Sequence, residues 1–176
     1  MKRIYCFLVA LLLVGCATAK IERLSQLPTS TPVVKSSERV FVSLPQDGKW
    51  GKERYNQSGE DVQQAFSDAL SAYTDYVSLG KQVLSLEEAK NEAKKQRATV
   101  LIYPTIIHWE DRNTHWSNKR DKVRINVAVY SLDEDTILDR SSLYTTNSSF
   151  SGSFSNTPPS VLLPKVVAPY VKALYE

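Results

Sequence analysis

The hydrophobic positions of this chain fall into three patterns: one unbroken run, several helical stripes and several strand-like stretches. The unbroken run is Ile4 to Val14, directly after Met1-Lys2-Arg3. Arg39-Val40-Phe41-Val42-Ser43-Leu44-Pro45 is β-branched and aromatic and is stopped by proline, which predicts a strand. Gln46 to Gln57 is polar, with Gly48, Gly51 and the isolated aromatics Trp50 and Tyr55, and is expected as a loop. Val62, Ala65, Phe66, Ala69, Leu70 and Tyr73 then share one helical face, with Ser58 and Asp61 as the expected N-terminal cap. Tyr76-Val77-Ser78-Leu79 predicts a short strand ended by Gly80. Ser85-Leu86-Glu87-Glu88 is a capping box, opening a helix expected to run to about Arg97 with Leu86, Ala89 and Ala93 inward.

From Thr99 to Trp109 the apolar residues are nearly continuous, which suits a central strand covered on both faces. Pro104 in that stretch points to a bulge or to a passage to the sheet edge. Lys122 to Tyr130 alternates strictly, with Val123, Ile125, Val127 and Val129 on one side and Lys122, Arg124 and Asn126 on the other, as in a strand with one wet face. Asp133-Glu134-Asp135-Thr136 is a turn, and Ile137 to about Ser148 is the returning partner. A Ser/Gly/Phe loop leads to Pro158-Pro159, which opens a final helix that Pro164 and Pro169 should kink or restart. The expected order is β-α-β-α-β-β-β-α. Its first half predicts right-handed βαβ units and its second an antiparallel meander. The fold class is therefore α/β (α+β), a single mixed sheet with helices packed against it.

The N-terminal run is too short to span a bilayer, which takes roughly 20 apolar residues, and it matches the core of a secretory signal peptide. It ends in Leu13-Val14-Gly15-Cys16, which resembles the bacterial lipobox. That resemblance implies that the Cys16 thiol is alkylated by diacylglycerol, that the chain is cut before Cys16 and that the new amine is acylated. Acyl chains contribute about 0.8 kcal/mol per buried CH₂, so such an anchor holds the protein at the membrane essentially permanently. Ala17 rather than Asp follows the cysteine, which by resemblance to the Gram-negative sorting rule favours the outer membrane. Residues 17–38 carry Ser, Thr, Pro and Lys with no sustained period. The expected organisation is a signal peptide over 1–15, the lipidated cysteine and a flexible tether over 16–38, and one α/β domain over 39–176.

Composition narrows the function classes. The chain has 176 residues, 42% of them hydrophobic and 23% charged, within the globular range. Loss of Lys2 and Arg3 with the leader leaves 20 basic against 19 acidic residues, so charge gives no support to a nucleic-acid partner. Two cysteines exclude a disulfide scaffold, and Cys6 lies in the leader.

Candidate chemistry is concentrated in His108-Trp109-Glu110-Asp111-Arg112-Asn113-Thr114-His115-Trp116-Ser117, between two strong strands. The two histidines with Glu110 and Asp111 match no compact zinc pattern, and no metal site or other cofactor is expected. Ser117 sits on no glycine-flanked elbow, so a Ser-His-Asp triad has no support beyond proximity. Gly48 and Gly51 lack the rest of a phosphate-binding loop. Trp and Arg are enriched in protein–protein hot spots, which makes Trp109, Arg112 and Trp116 candidate partner-binding residues. The competing view is that the tryptophans close off the end of the core.

The same stretch, the alternating strand from Lys122 to Tyr130 and the Pro158 to Leu163 segment resemble the bacterial lipoproteins grouped as domain of unknown function 4823. The resemblance covers most of the chain after the leader and implies a lipobox lipoprotein with no assigned activity, so it transfers no functional residues. More distantly, the element order is similar to the α/β domain of envelope lipoproteins that activate penicillin-binding proteins and to the N-terminal domain of the Tol-system translocation protein. The resulting expectation is a non-enzymatic lipoprotein on the periplasmic side of the outer membrane, binding another envelope protein or a cell-wall component. The alternative is a subunit of a lipoprotein ring or secretion assembly, and a metal-dependent or hydrolytic enzyme comes third.

Overall fold

The computed structural model describes residues 18–24, 32–111, 121–146 and 158–176. In chain order its elements are β1 (Thr18–Arg23), β2 (Val40–Leu44), β3 (Lys49–Trp50), β4 (Glu53–Arg54), α1 (Ser58–Leu70), β5 (Val77–Val83), α2 (Leu86–Lys95), β6 (Val100–Glu110), β7 (Lys122–Ser131), β8 (Thr136–Thr146), α3 (Pro159–Leu162) and α4 (Pro164–Tyr175). Six strands form one mixed sheet in the order β1-β8-β7-β6-β2-β5, and β3 pairs with β4 in a separate small hairpin. β2 is parallel to both β5 and β6, whereas β6, β7, β8 and β1 run antiparallel to their neighbours. The mixed α/β architecture expected from the hydrophobic pattern is therefore the one observed.

Alternation within the strands explains where the helices sit. Val40 and Val42 of β2, Val100 and Ile102 of β6, and Val123, Ile125, Val127 and Val129 of β7 join the main core with α1 and α4. Phe41, Leu101 and Tyr130 point the other way and pack on Ala89 and Ala93 of α2. The crossover from β2 to β5 runs outward and the one from β5 to β6 runs back. The same hand in both directions places α1 and α2 on opposite faces. Phe66 is fully buried at the centre of α1, its ring edge-on to that of Tyr170 in α4 with centroids 6.3 Å apart.

Several local expectations are corrected. The segment expected as a tether begins with β1, an antiparallel edge strand paired with β8 from Thr18↔Thr146 to Arg23↔Ser141. Further on, the Val33 and Val34 amides donate to the Leu174 carbonyl, and Val34 is buried in the main core. Only Ile21 of β1 is a large apolar residue, so a strand held mainly by backbone pairing leaves almost no hydrophobic pattern. Gly80 does not end its strand. A Cβ there would lie 3.1 Å from the Phe41 ring, so this glycine lets the strand pass close over an aromatic side chain. Buried Gln63 ties the region together, its Nε2 donating to the carbonyls of Val42 and Gly80 at 3.0 and 2.9 Å.

The start of α1 is also built differently. Gln57, in the left-handed region at φ 72°, occupies the cap position. The Ser58 hydroxyl donates to the Tyr55 carbonyl at 2.6 Å, and the Gly59 amide donates to Asp47 Oδ1 at 2.9 Å. The cap thus comes from the preceding loop, not from Ser58 with Asp61. The capping box of α2 is present as expected, with the Ser85 amide donating to Glu88 at 2.9 Å. Leu163 divides the last helix into α3 and α4, with Pro164 opening the second and Pro169 inside it.

Candidate functional site

Of the expected contact residues, Trp109 lies near the end of β6, and a bulge decides which way it faces. The β6–β7 register shifts between Ile106 and His108: Ile106 pairs with Ile125, but His108 pairs with Arg124 and Trp109 with Val123. One extra residue exchanges the faces of everything after it. Trp109 is thereby turned into the main core and is only 3% exposed, while Ile107 at the bulge is 51% exposed. Gly48 completes the site. A Cβ there would stand 2.5 Å from that of Trp109, so the loop leading into β3 can pass this close to the Trp109 side chain only with glycine at this position. Trp109 therefore closes the end of the core and presents no contact surface. Arg112 and Trp116 lie outside the described residues, as do Cys16, His115 and Ser117.

His108 faces the opposite side from Trp109. Its Nε2 is 3.3 Å from Glu110 Oε2, and the Trp50 ring leans on the imidazole with centroids 4.4 Å apart. Glu110 is nearly fully buried. Among the described residues no group of three or more His, Cys, Asp or Glu side chains is arranged to hold a metal.

On this second face α2 covers only the end near Phe41, Leu101 and Tyr130. Beyond it the sheet presents Lys122 and Arg124 of β7 and Tyr144 of β8. The Arg124 guanidinium lies 5.8 Å from the centre of the Tyr144 ring. Ile107, His108, Lys122, Arg124 and Tyr144 line an open depression of about 370 Å³. The signal for this surface was the wet side of the strictly alternating β7. Trp and Arg enrichment alone points to the Trp-rich stretch and not to this surface.

The opposite face holds a buried polar cluster with a structural role. Tyr170 Oη and Ser141 Oγ each donate to Asp139 Oδ2 at 2.8 Å, and Arg23 donates to the Ala173 carbonyl at 3.2 Å. Burial, with the Asp139 charge alongside, pushes the Tyr170 phenol well above its ordinary pKa. Burial also pushes Tyr175 up to about 12. These bonds join β1 and β8 to α4.

Among the described residues no helix is long and apolar enough to cross a membrane. Comparison with solved structures finds the same fold in several bacterial proteins. The PelC dodecamer from Paraburkholderia phytofirmans matches with a TM-score of 0.61 at 14% identity, over 90% of this chain and 99% of that one. Lipoprotein GNA1162 from Neisseria meningitidis matches with a TM-score of 0.52 at 12% identity, over 77% of this chain and 96% of that one. Protein XCC0632 from Xanthomonas campestris, of family DUF330, matches with a TM-score of 0.50 at 11% identity, over 81% of this chain and 85% of that one. At such identities the likeness establishes the shared fold and nothing more. No curated protein sequence matches the chain. The model of the family described as Domain of unknown function (DUF4823) matches residues 33–174, and the chain belongs to that family.

Proposed function

We propose that the protein is a lipoprotein anchored through Cys16 in the outer membrane, facing the periplasm, whose domain binds another envelope protein or a cell-wall component and catalyses no reaction. The observation that carries this reading is the unequal cover of the sheet. One face is sealed by α1, α3 and α4, while beyond α2 the other displays Ile107, Lys122, Arg124 and Tyr144 to solvent or a partner. Surfaces that combine Arg, Tyr and an exposed aliphatic group suit binding. The leader, the lipobox and the fold shared with lipoprotein GNA1162 support the anchor. Arg112 and Trp116, which follow Glu110 in the sequence, are the further candidate partner contacts.

The test is a pull-down from crosslinked envelopes read by mass spectrometry, on the natural chain, Cys16→Ser and Trp116→Ala. Cys16→Ser is expected to leave uncleaved precursor in the inner membrane, and mature mass in outer membranes would overturn the anchor. Trp116→Ala is expected to keep the melting temperature and lose the main crosslink. A large stability loss with the crosslink kept would overturn its role as a contact.

A second reading, a subunit of a ring or secretion assembly, is favoured by one observation. The fold matches PelC, a dodecamer, over almost the full length of both chains. A discrete large oligomer of the lipidated protein in detergent would support it over the first.

A further inference from the structure

The sheet register places four side chains in one row across four adjacent strands. Lys20 of β1 is opposite Tyr144 of β8, Tyr144 is opposite Arg124 of β7, and Arg124 is opposite His108 of β6. Strand spacing makes this row about 14 Å long. All four belong to the open face, because their neighbours Ile21, Leu143, Val123 and Trp109 belong to the main core. Lys122 stands beside Arg124 on the same strand face, and the Trp50 ring, 47% exposed, closes the His108 end.

The charges of this row are unbalanced. Among the described residues neither Lys122 nor Arg124 has a carboxylate within ion-pair distance. The carboxylates that do approach the row are Glu22, 4.0 Å from Lys20 in an exposed pair, and Glu110, which is opposite Lys122 in the register but buried against His108 and outside ion-pair distance of the lysine. The Arg124 guanidinium lies over the Tyr144 ring, and its planar donors suit a bidentate acid. A single small anion would occupy one or two cations and leave the exposed Trp50 ring without a role. A nucleic acid is disfavoured by the nearly even charge of the chain after the leader. A linear polyanion whose units also present flat apolar faces uses every part of the row.

We propose that this row binds a carboxylate-bearing oligosaccharide, with acid groups on Arg124 and Lys122 and a sugar ring against Trp50. The proposal rests on the reading of the domain as a binding module and names the chemistry of its cell-wall ligand. The test is calorimetric titration of the full-length lipidated protein in detergent with tri-galacturonate, and with maltotriose and tetraglutamate as comparisons. Saturable binding of tri-galacturonate is expected, falling about tenfold in Arg124→Ala, the effect of losing a charge-assisted hydrogen bond. It should weaken further with added salt. Lys122→Ala should weaken it in the same direction, and Trp50→Ala should lower affinity without changing the salt dependence. Equal affinity in Arg124→Ala, equal binding of maltotriose, tetraglutamate binding as tightly as the uronate, or no uronate binding at all would each overturn the site. Failure of the site with the envelope crosslink retained leaves the binding function standing. Cleavage of the oligosaccharide would instead overturn the non-catalytic reading.

Discussion

The two faces of the six-stranded sheet are built from the same strands and differ in what covers them. The face of Val40, Ile102, Ile125 and Leu143 meets α1 and α4 and forms a dry core with Phe66 and Tyr170 fully buried. The face of Phe41, Leu101 and Tyr130 is covered by α2 at one end only, and from there to β1 it is cationic and aromatic. The difference teaches that binding capacity arises where the helices stop. The βαβ half brings one helix to each face, but among the described residues the meander of β6, β7 and β8 brings no helix of its own to the second face.

The comparison breaks first at the core side. Phe66→Ala and Trp109→Ala should each lower stability by about 3–5 kcal/mol in urea melts, the range for emptied aromatic core sites. A small loss for Trp109→Ala would mean that the bulge does not hold the indole inside. Gly48→Ala, which forces a methyl group against the Trp109 side chain, should destabilise by about 1–3 kcal/mol as an overpacked site.

An alkaline titration sharpens the same contrast. A phenol whose pKa is raised in the folded state favours folding fully below its unfolded value. That contribution is lost as pH rises from the ordinary 10.0 towards about 12 for Tyr175. Tyr170 acts in the same direction. Melting temperatures should therefore fall above pH 10, and Tyr175→Phe should make the fall shallower. An unchanged slope would show that Tyr175 ionises as freely in the folded chain as in the unfolded one. The smallest expected effect belongs to the open face. Arg124→Ala should change stability by no more than about 1 kcal/mol, because all it loses is an exposed cation–π contact with Tyr144.

α2 shows how a correct helix can still hold a misplaced side chain. Lysines crowd its expected wet side, yet the Lys90 amine is 2.9 Å from Asp135 Oδ1 in the β7–β8 turn and 5.1 Å from the centre of the Tyr130 ring. The Asp135 hydrogen bond raises the Lys90 pKa and lowers that of Asp135. The partner lies on a turn far along the chain, beyond the reach of helical periodicity.

The sequence by itself determined the elements whose signals repeat. The stripe from Val62 to Leu70, the capping box at Ser85, the alternation from Val123 to Val129 and the proline-opened last helix were all legible, because period and cap chemistry are local properties. It also carried the residues of the open face as the polar half of β7. Three matters were left to the tertiary structure. The edge strand β1 exists because β8 offers its backbone groups, and pairing of that kind is insensitive to side-chain pattern. The cap of α1 comes from Asp47, brought close by a loop that folds back. The side on which Trp109 lies depends on one unpaired residue at Ile107, since a bulge reverses the faces of a strand without changing its composition.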